Sequence, residues 1–118
     1  MKAFETLKKN WEFQETFKKG RSYYNSSLVL YVSPLPETKG QLKVAFCAGK
    51  KLGSAVKRNR IKRQMRHAFL NVQKRMKSGF SLIIIARGKA EELDFSQLSA
   101  ALQDLLAKAN LLRKANHG

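Results

Sequence analysis

The feature that most constrains this chain is the uneven placement of its charges. Between Glu37 and Glu91 the sequence contains fifteen Lys and Arg residues and no Asp or Glu, within a total net charge of +16. Like charges at this density oppose compact folding, and a phosphate backbone relieves the repulsion. A chain of this kind must bury a core elsewhere and keep its basic segment on the surface, where a polyanion can reach it.

Length and composition predict one domain over residues 1–118, with a frayed tail at about residues 112–118. The apolar runs are too short to insert into a membrane, so we expect no membrane partner. The single cysteine, Cys47, excludes an internal disulfide and favours a reducing compartment. Met1–Asn10 contains no apolar signal-peptide segment. We therefore expect a cytoplasmic protein.

The first half of the chain predicts a short helix followed by strands. The helix, WEFQETFKK, has Asn10 as its expected N-cap and Gly20 as a left-handed C-cap. Strands are predicted at Arg21–Tyr24, at LVLYVS, where Leu28, Leu30 and Val32 alternate with Val29, Tyr31 and Ser33, and at QLKVAFCA. The stretch SPLPETKG between the last two has the composition of a turn.

The second half predicts a long helix, a buried strand and a final helix. The long helix runs from about Ser54, its N-cap, to Lys77. FSLIIIAR has the continuous apolar pattern of a strand buried on both faces in the middle of a sheet. Asp94 is the expected N-cap of the last helix, which has an apolar stripe that includes Phe95. The strands disfavour an all-helical DNA reader such as a helix-turn-helix protein.

The long helix separates apolar and basic residues onto opposite faces. Its apolar stripe consists of Ile61, Met65, Ala68, Phe69, Val72 and Met76. The opposite face carries Asn59, Arg60, Arg63, His67 and Lys74. Arg58 lies near the apolar stripe, and basic residues in the first turns oppose the helix dipole. Because local helix energetics do not favour this arrangement, it indicates a phosphate-binding face. The preceding GKKLG lacks the pattern of a nucleotide-binding P-loop.

Three aromatic residues near the N-terminus have two interpretations each. Phe13 and Phe17 are four residues apart and share one helix face. They either pack in the core or stack against the bases of a single strand. Tyr31 lies on the face of its strand opposite the aliphatic residues, where it offers exposed packing or a stacking surface beside Lys43.

At KKLGSAVKRNRIKRQMRHAF the sequence closely resembles the basic RNR motif of the bacterial ribonuclease P protein subunit. LKKNWEFQETFKKG, LVLYV and SLIIIAR are similar to the same family, so that the resemblance covers nearly the whole chain. It implies an α/β (α+β) two-layer sandwich of order αβββαβα, with a mixed central sheet and a left-handed βαβ crossover, against the usual right-handed rule.

The resemblance also implies a function and its residues. In this family an RNA subunit removes the 5′ leader of precursor tRNA with Mg²⁺ that is bound mainly by the RNA, and the protein assists. The implied partners are the catalytic RNA and the precursor tRNA, with no small-molecule substrate and no catalytic residue in the protein. Contacts to the catalytic RNA are implied for Lys50, Lys51, Arg58, Asn59, Arg60, Lys62, Arg63 and Arg66. A cleft for the single-stranded leader is implied for Phe13, Phe17 and Tyr31.

Alternative functions make different demands on the sequence. A nuclease with its own metal ion needs clustered carboxylates, and one with a histidine mechanism needs two positioned imidazoles. The acidic residues are scattered, and the histidines are His67 in the basic helix and His117 in the tail. A structural RNA-binding protein of the ribosomal type is the main alternative, and a DNA-binding module is another. Composition alone does not separate these from the first interpretation.

Overall fold

A computed structural model of the chain describes residues 4–35 and 41–113, which form one five-stranded sheet and three α-helices. The elements in chain order are β1 (Glu5–Thr6), α1 (Asn10–Lys19), β2 (Arg21–Tyr24), β3 (Leu28–Pro34), β4 (Leu42–Ala48), α2 (Ala55–Val72), β5 (Phe80–Ala86) and α3 (Phe95–Lys108). The predicted mixed fold and its αβββαβα order are confirmed, with the short β1 as an addition. Residues 36–40 of the predicted turn lie outside the described residues.

The sheet is mixed and has β5 at its centre. Its strand order is β1-β4-β5-β3-β2, in which β4 runs parallel to β1 and β5, and β3 runs antiparallel to β5 and β2. A central strand has neighbours on both edges and helices over both faces, which explains why β5 is apolar at every position except Ser81. The prediction for this strand is confirmed.

The two faces of the sheet support two cores of different size. On β3, Leu28, Leu30 and Val32 point into the large core beneath α2 and α3, as the alternation predicted. The opposite face carries α1 and a smaller core centred on Ile83. Thus α2 and α3 cover one face, and α1 crosses the other.

The connection from β4 through α2 to β5 joins neighbouring parallel strands. This βαβ unit is the one that places the basic helix over the sheet. The left-handed sense that the family resemblance implies for it stays a prediction.

The ends of α1 differ from the sequence-based prediction. Lys9 is the N-cap, and Asn10 is already helical, because the Glu12 carboxylate accepts the backbone N–H groups of Lys8 and Lys9 (3.2 and 3.1 Å). Gly20 follows the helix with φ −79°, so the predicted left-handed cap is wrong. Glycine is needed there because a Cβ atom would lie 2.2 Å from the carbonyl oxygen of Thr16.

The caps of the other two helices agree with the prediction, and some boundaries do not. Ser54 Oγ accepts the Lys57 N–H (3.3 Å), and Asp94 forms a capping box with Gln97. All six residues of the predicted apolar stripe of the basic helix are buried. The α-helix nevertheless ends at Val72 and continues as a single 3₁₀ turn. Phe95, the first residue of α3, is 38% exposed rather than part of the core.

The chain after α3 keeps contacts with the rest of the protein up to Arg113. Leu112 forms a β-bridge with Met76, and the Arg113 N–H donates to the Arg75 carbonyl. Residues 112 and 113, at the start of the predicted frayed tail, are thus held by contacts to residues 76 and 75, and the frayed tail itself stays a prediction. Residues 114–118 lie outside the described residues.

Candidate RNA interface

The outward side of α2 and the turn before it gather the predicted RNA-contacting residues on one surface. Because the apolar stripe of α2 faces the large core, the opposite side of the helix is left in solvent. Seven of the eight residues are exposed, and Arg58 is half-buried. We call the set the basic surface; it consists of Lys50, Lys51, Arg58, Asn59, Arg60, Lys62, Arg63 and Arg66.

The turn before α2 is anchored from below. Lys50–Leu52 forms a 3₁₀ turn, and the side chain of Leu52 is 2% exposed. Gly53 then adopts φ +110°, in the region that only glycine occupies cheaply, and Ser54 starts α2. The buried leucine and this left-handed residue fix the loop beside the N-terminus of the helix.

Two arginines of the basic surface differ from the rest: Arg66 is supported by an aromatic ring, and Arg58 has a buried donor atom. The Arg66 guanidinium lies over the ring of Phe4, 5.5 Å from its centroid. Phe4 packs edge-on against Phe69, with ring centroids 5.0 Å apart. The Nε atom of Arg58 is buried and has no hydrogen-bond partner within the described part of the chain. The sequence did not indicate the support from Phe4, because one aromatic residue ahead of a helix creates no periodic signal.

The three predicted leader-binding residues meet between α1 and β3. Phe17 is 42% exposed and packs edge-on against Tyr31, with ring centroids 4.8 Å apart and planes at 79°. Phe13 is half-buried against the smaller core. We call Phe13, Phe17 and Tyr31 the aromatic cleft. Phe13 thus contributes packing, whereas Phe17 keeps an accessible ring.

Polar contacts fix the position of α1 on the sheet. Thr16 Oγ1 and Ser81 Oγ form a buried hydrogen bond of 2.8 Å, and Lys43 Nζ donates to Glu12 Oε2 at 2.8 Å. The hydrogen bond from Lys43 lowers the pKa of Glu12 below its ordinary value, with help from backbone N–H groups and against the effect of burial. Lys43 is therefore engaged beneath α1, and β5 separates its strand from that of Tyr31. The interpretation that placed Lys43 beside Tyr31 is wrong.

The aromatic cleft lies on the α1 face of the sheet, and the basic surface belongs to α2, which packs on the other face. Cys47 lies on the α1 side of β4, packed at the edge of the smaller core. Burial raises the pKa of its thiol, and the charge of Lys62 acts in the opposite direction. The charge of Lys62 on α2 therefore reaches the edge of the α1 face at β4.

Residues 4–35 and 41–113 contain neither a cluster of metal ligands nor a membrane-spanning helix. No three His, Cys, Asp or Glu side chains in those ranges are close enough together to hold a metal ion. No helix there is long and apolar enough to span a bilayer. His67 is exposed on α2, and His117 lies outside the described residues.

Comparison with known proteins identifies the family. A family model described as Ribonuclease P matches residues 1–110. The chain belongs to the ribonuclease P protein family. It is 42% identical to the ribonuclease P protein component of Bacillus pumilus over 92% of this chain and 91% of the relative. The corresponding protein of Oceanobacillus iheyensis is 37% identical over 99% of this chain and 96% of its own length.

The solved structures agree with this assignment. A Staphylococcus aureus RNase P protein superimposes with a TM-score of 0.81 at 33% identity, and the match covers 92% of this chain and 97% of the other. Membership of the family implies an RNA-binding protein component of ribonuclease P, an endoribonuclease of tRNA 5′ processing.

Proposed function

We propose that the chain assists RNA-catalysed removal of the 5′ leader from precursor tRNA through two surfaces. The basic surface binds the catalytic RNA, and the aromatic cleft binds the unpaired leader. The observation that carries this proposal is the accessible ring of Phe17, held edge-on against Tyr31 on the face of the sheet opposite the helix that presents the basic surface. A protein that bridges the catalytic RNA and its substrate needs two such separate surfaces.

The basic surface suits a folded RNA because it concentrates cations without nearby acids. No acidic residue occurs between residues 38 and 90, so this side of α2 is not neutralised from within the helix or the strands beside it. Glu91, the first acid after this stretch, forms a salt bridge of 3.2 Å with Lys57 of α2. Lys57 is not part of the basic surface. Neutralisation of crowded phosphates by this surface lowers the cation concentration that RNA–RNA approach requires.

The aromatic cleft suits an unpaired strand because it offers a ring face at a fixed place. The edge-on contact with Tyr31 holds the Phe17 ring while nearly half of that residue stays in solvent. Bases of a single strand stack on such rings with little sequence preference. Since mature tRNA has lost the leader, the cleft favours the precursor over the product.

The chemistry of cleavage is assigned to the RNA partner. Within residues 4–35 and 41–113 no three His, Cys, Asp or Glu side chains come together, and we propose that the RNA holds most of the Mg²⁺. The proposal assigns no small-molecule substrate to the protein. The cytoplasmic location expected from the sequence stays a prediction.

Cleavage of a precursor tRNA at low Mg²⁺ tests the subunit role. Protein alone, a bacterial catalytic RNA alone and their mixture are compared, and we expect cleavage at the mature 5′ end only in the mixture. Cleavage by the protein alone would contradict the assignment of chemistry to the RNA. Good RNA binding without stimulated cleavage would favour a structural RNA-binding protein of the ribosomal type.

Substitution of Phe17 tests the cleft, with Trp11 as its matched control. Both are exposed aromatic residues of α1, but Trp11 borders a separate cavity of about 270 Å³ beside Leu35 and Gln41. Phe17→Ala is expected to weaken binding of leader-containing RNA by about tenfold relative to mature tRNA, since one stacked base is lost. Trp11→Ala is expected to leave that ratio unchanged. Equal effects of the two substitutions would remove the cleft from the proposal.

A further inference from the structure

We propose that Tyr24 and Arg87 form an additional subsite for an unpaired nucleotide, which extends the aromatic cleft across the sheet. The inference rests on the proposed function, because it adds a position to the path of the leader. Neither Tyr24 nor Arg87 belongs to the basic surface or to the aromatic cleft.

Strand pairing places Tyr24 on the same face of the sheet as the aromatic cleft. Tyr31 is paired with Ser22 on β2, and Tyr24 lies two residues further along that strand. Residues in this diagonal relation share a face and are about 7–8 Å apart. Tyr24 therefore continues the line from Phe17 through Tyr31 toward the edge of the sheet.

The sheet surface next to Tyr24 is apolar and partly exposed to solvent. Tyr24 is paired with Val29, Val29 with Ile85, and Ile85 with Cys47, so that these four residues form one row across β2, β3, β5 and β4. Val29, Ile85 and Cys47 are half-buried. A flexible strand can cross this row without meeting a charged side chain of the sheet.

The ring of Tyr24 packs in neither core of the protein. It is 68% exposed, more than Trp11 at 60%, whereas its neighbour Tyr23 packs against the large core. A large apolar ring held in water beside an apolar row offers a free stacking face. Stacking on such rings is a sequence-tolerant way to bind single strands.

Arg87 adds the cationic part of the subsite. Its guanidinium carbon lies 5.8 Å from the centroid of the Tyr24 ring, and its Nη1 donates to the Asn25 carbonyl at 3.3 Å. A guanidinium group has five N–H donors, so donors remain for a phosphate. Lys89 shares with both residues a cavity of about 440 Å³, which Asn25, Ser26 and Gly88 complete.

Hydrogen bonds make this corner of the molecule rigid before any ligand binds. Asn25 Oδ1 accepts the N–H groups of Ser27 and Leu28 at 3.0 and 2.8 Å. The Arg87 N–H donates to the Ser27 carbonyl at 2.8 Å. Because the turn is ordered in advance, a nucleotide would bind there with a small loss of protein entropy.

The nearby acids do not cancel this charge. The Asp104 carboxylate accepts from Asn25 Nδ2 at 3.4 Å and pairs with Lys108 at 3.2 Å. The Glu91 carboxylate, further along the chain from Lys89, pairs with Lys57. An aromatic ring, a guanidinium and an ammonium group therefore act together on a ligand that combines a flat base with a phosphate.

A series of leader lengths tests the subsite in the complete protein–RNA complex. Binding of precursor tRNAs whose unpaired leaders grow one nucleotide at a time is measured with a bacterial catalytic RNA and the full chain. The variants are Tyr24→Ala and Tyr24→Phe, with Trp11→Ala as the control for loss of an exposed aromatic residue. Thermal unfolding confirms that each variant is folded, as the exposure of these side chains leads us to expect.

We expect affinity to rise with leader length in two steps, the first from the aromatic cleft and the second from the subsite. Tyr24→Ala should lose about tenfold in affinity at lengths beyond the second step and nothing for short leaders, whereas Tyr24→Phe and Trp11→Ala should match the wild type. Arg87→Gln should lower the slope of log affinity against log salt by about 0.7 for long leaders.

Three results would overturn the inference, each in a distinguishable way. If Tyr24→Ala matches the wild type at every length, the subsite does not exist while the aromatic cleft stands. If it weakens mature tRNA as much as the precursor, Tyr24 contacts the body of the RNA instead of the leader. If the wild type shows no dependence on leader length, the proposed function itself fails, and this inference with it.

Discussion

At the scale of single residues, the positions that matter most for the interface are those that hold α1 in place. Glu12 lies at the centre, because its carboxylate caps the start of the helix and pairs with Lys43 from β4. Its side chain is only 10% exposed. A substitution of Glu12 therefore affects the aromatic cleft indirectly, through the position of α1.

Glu12→Gln is expected to lower the free energy of unfolding by about 1–3 kcal/mol at neutral pH, since Lys43 loses its charged partner. The pKa of Glu12 is lowered in the folded protein, so its stabilising effect is present above the ordinary carboxyl pKa and is lost as the pH falls through the lowered value. The difference between wild type and variant should therefore shrink below about pH 4. Denaturant unfolding at several pH values measures it, and a constant difference would contradict the assignment.

Gly20→Ala is expected to destabilise the protein by about 2–4 kcal/mol, because the added Cβ meets the carbonyl oxygens of Thr16 and Val32 at 2.2 and 2.8 Å. Gly49→Ala is the matched control, since a Cβ there meets nothing within 4 Å and its φ of −73° suits any residue. Urea unfolding compares the two variants. Similar losses would show that loss of glycine itself, rather than the close approach, sets the cost.

At the scale of elements, α1 is docked on the sheet by a buried hydroxyl pair in addition to the Glu12–Lys43 contact. Thr16 and Ser81 are 1% and 4% exposed, and their hydroxyl groups bond only 2.8 Å apart between helix and central strand. Because this contact sets where α1 crosses β5, it also sets the gap between Phe17 and the sheet.

A double-mutant cycle of Thr16→Val and Ser81→Ala should give a coupling energy of about 1 kcal/mol in unfolding experiments. Thr16→Val removes the partner of the Ser81 hydroxyl, whereas Ser81→Ala leaves the Thr16 hydroxyl bonded to the Glu12 carbonyl at 2.8 Å. The double variant removes both hydroxyl groups. The same variants are expected to weaken leader binding more than binding of mature tRNA. Additive effects on stability would mean that the hydroxyl groups do not act as a pair.

The sequence predicted the elements that a periodic pattern specifies. The apolar run of β5 and the two-faced pattern of α2 indicated the central strand and the basic surface, since side-chain periodicity reports burial directly. It did not indicate β1, which is two polar residues held by pairing with β4. The pairing of Glu12 with Lys43 was also missed, because it joins residues 31 apart whose proximity exists only after folding.

At the scale of the whole molecule, repulsion among cations and burial of the large core act against each other. Fifteen of the 24 Lys and Arg residues lie in the acid-free stretch between Glu37 and Glu91, within a net charge of +16, and burial of the core beneath α2 and α3 offsets their repulsion. Anions that bind the basic surface should stabilise the folded protein, because the unfolded chain does not gather these charges in one place.

We therefore expect the Tm to rise as sodium sulfate is added, and to rise more than with sodium chloride at equal ionic strength. The variant Arg60→Gln with Arg63→Gln should respond less to sulfate, and Lys18→Gln with Lys19→Gln on exposed α1 serves as the charge-matched control. Calorimetry measures the shifts. Equal responses in the two double variants would show that sulfate acts through general exclusion rather than at the basic surface.

The central place of β5 has a consequence for how the protein is made. Translation delivers β3, β4 and α2 before residues 80–86, the strand to which both β3 and β4 must pair. Until then the apolar stripe of α2 has no complete sheet to cover. Closure of the five-stranded sheet therefore belongs to the last stage of synthesis, after the cationic segment has already been made.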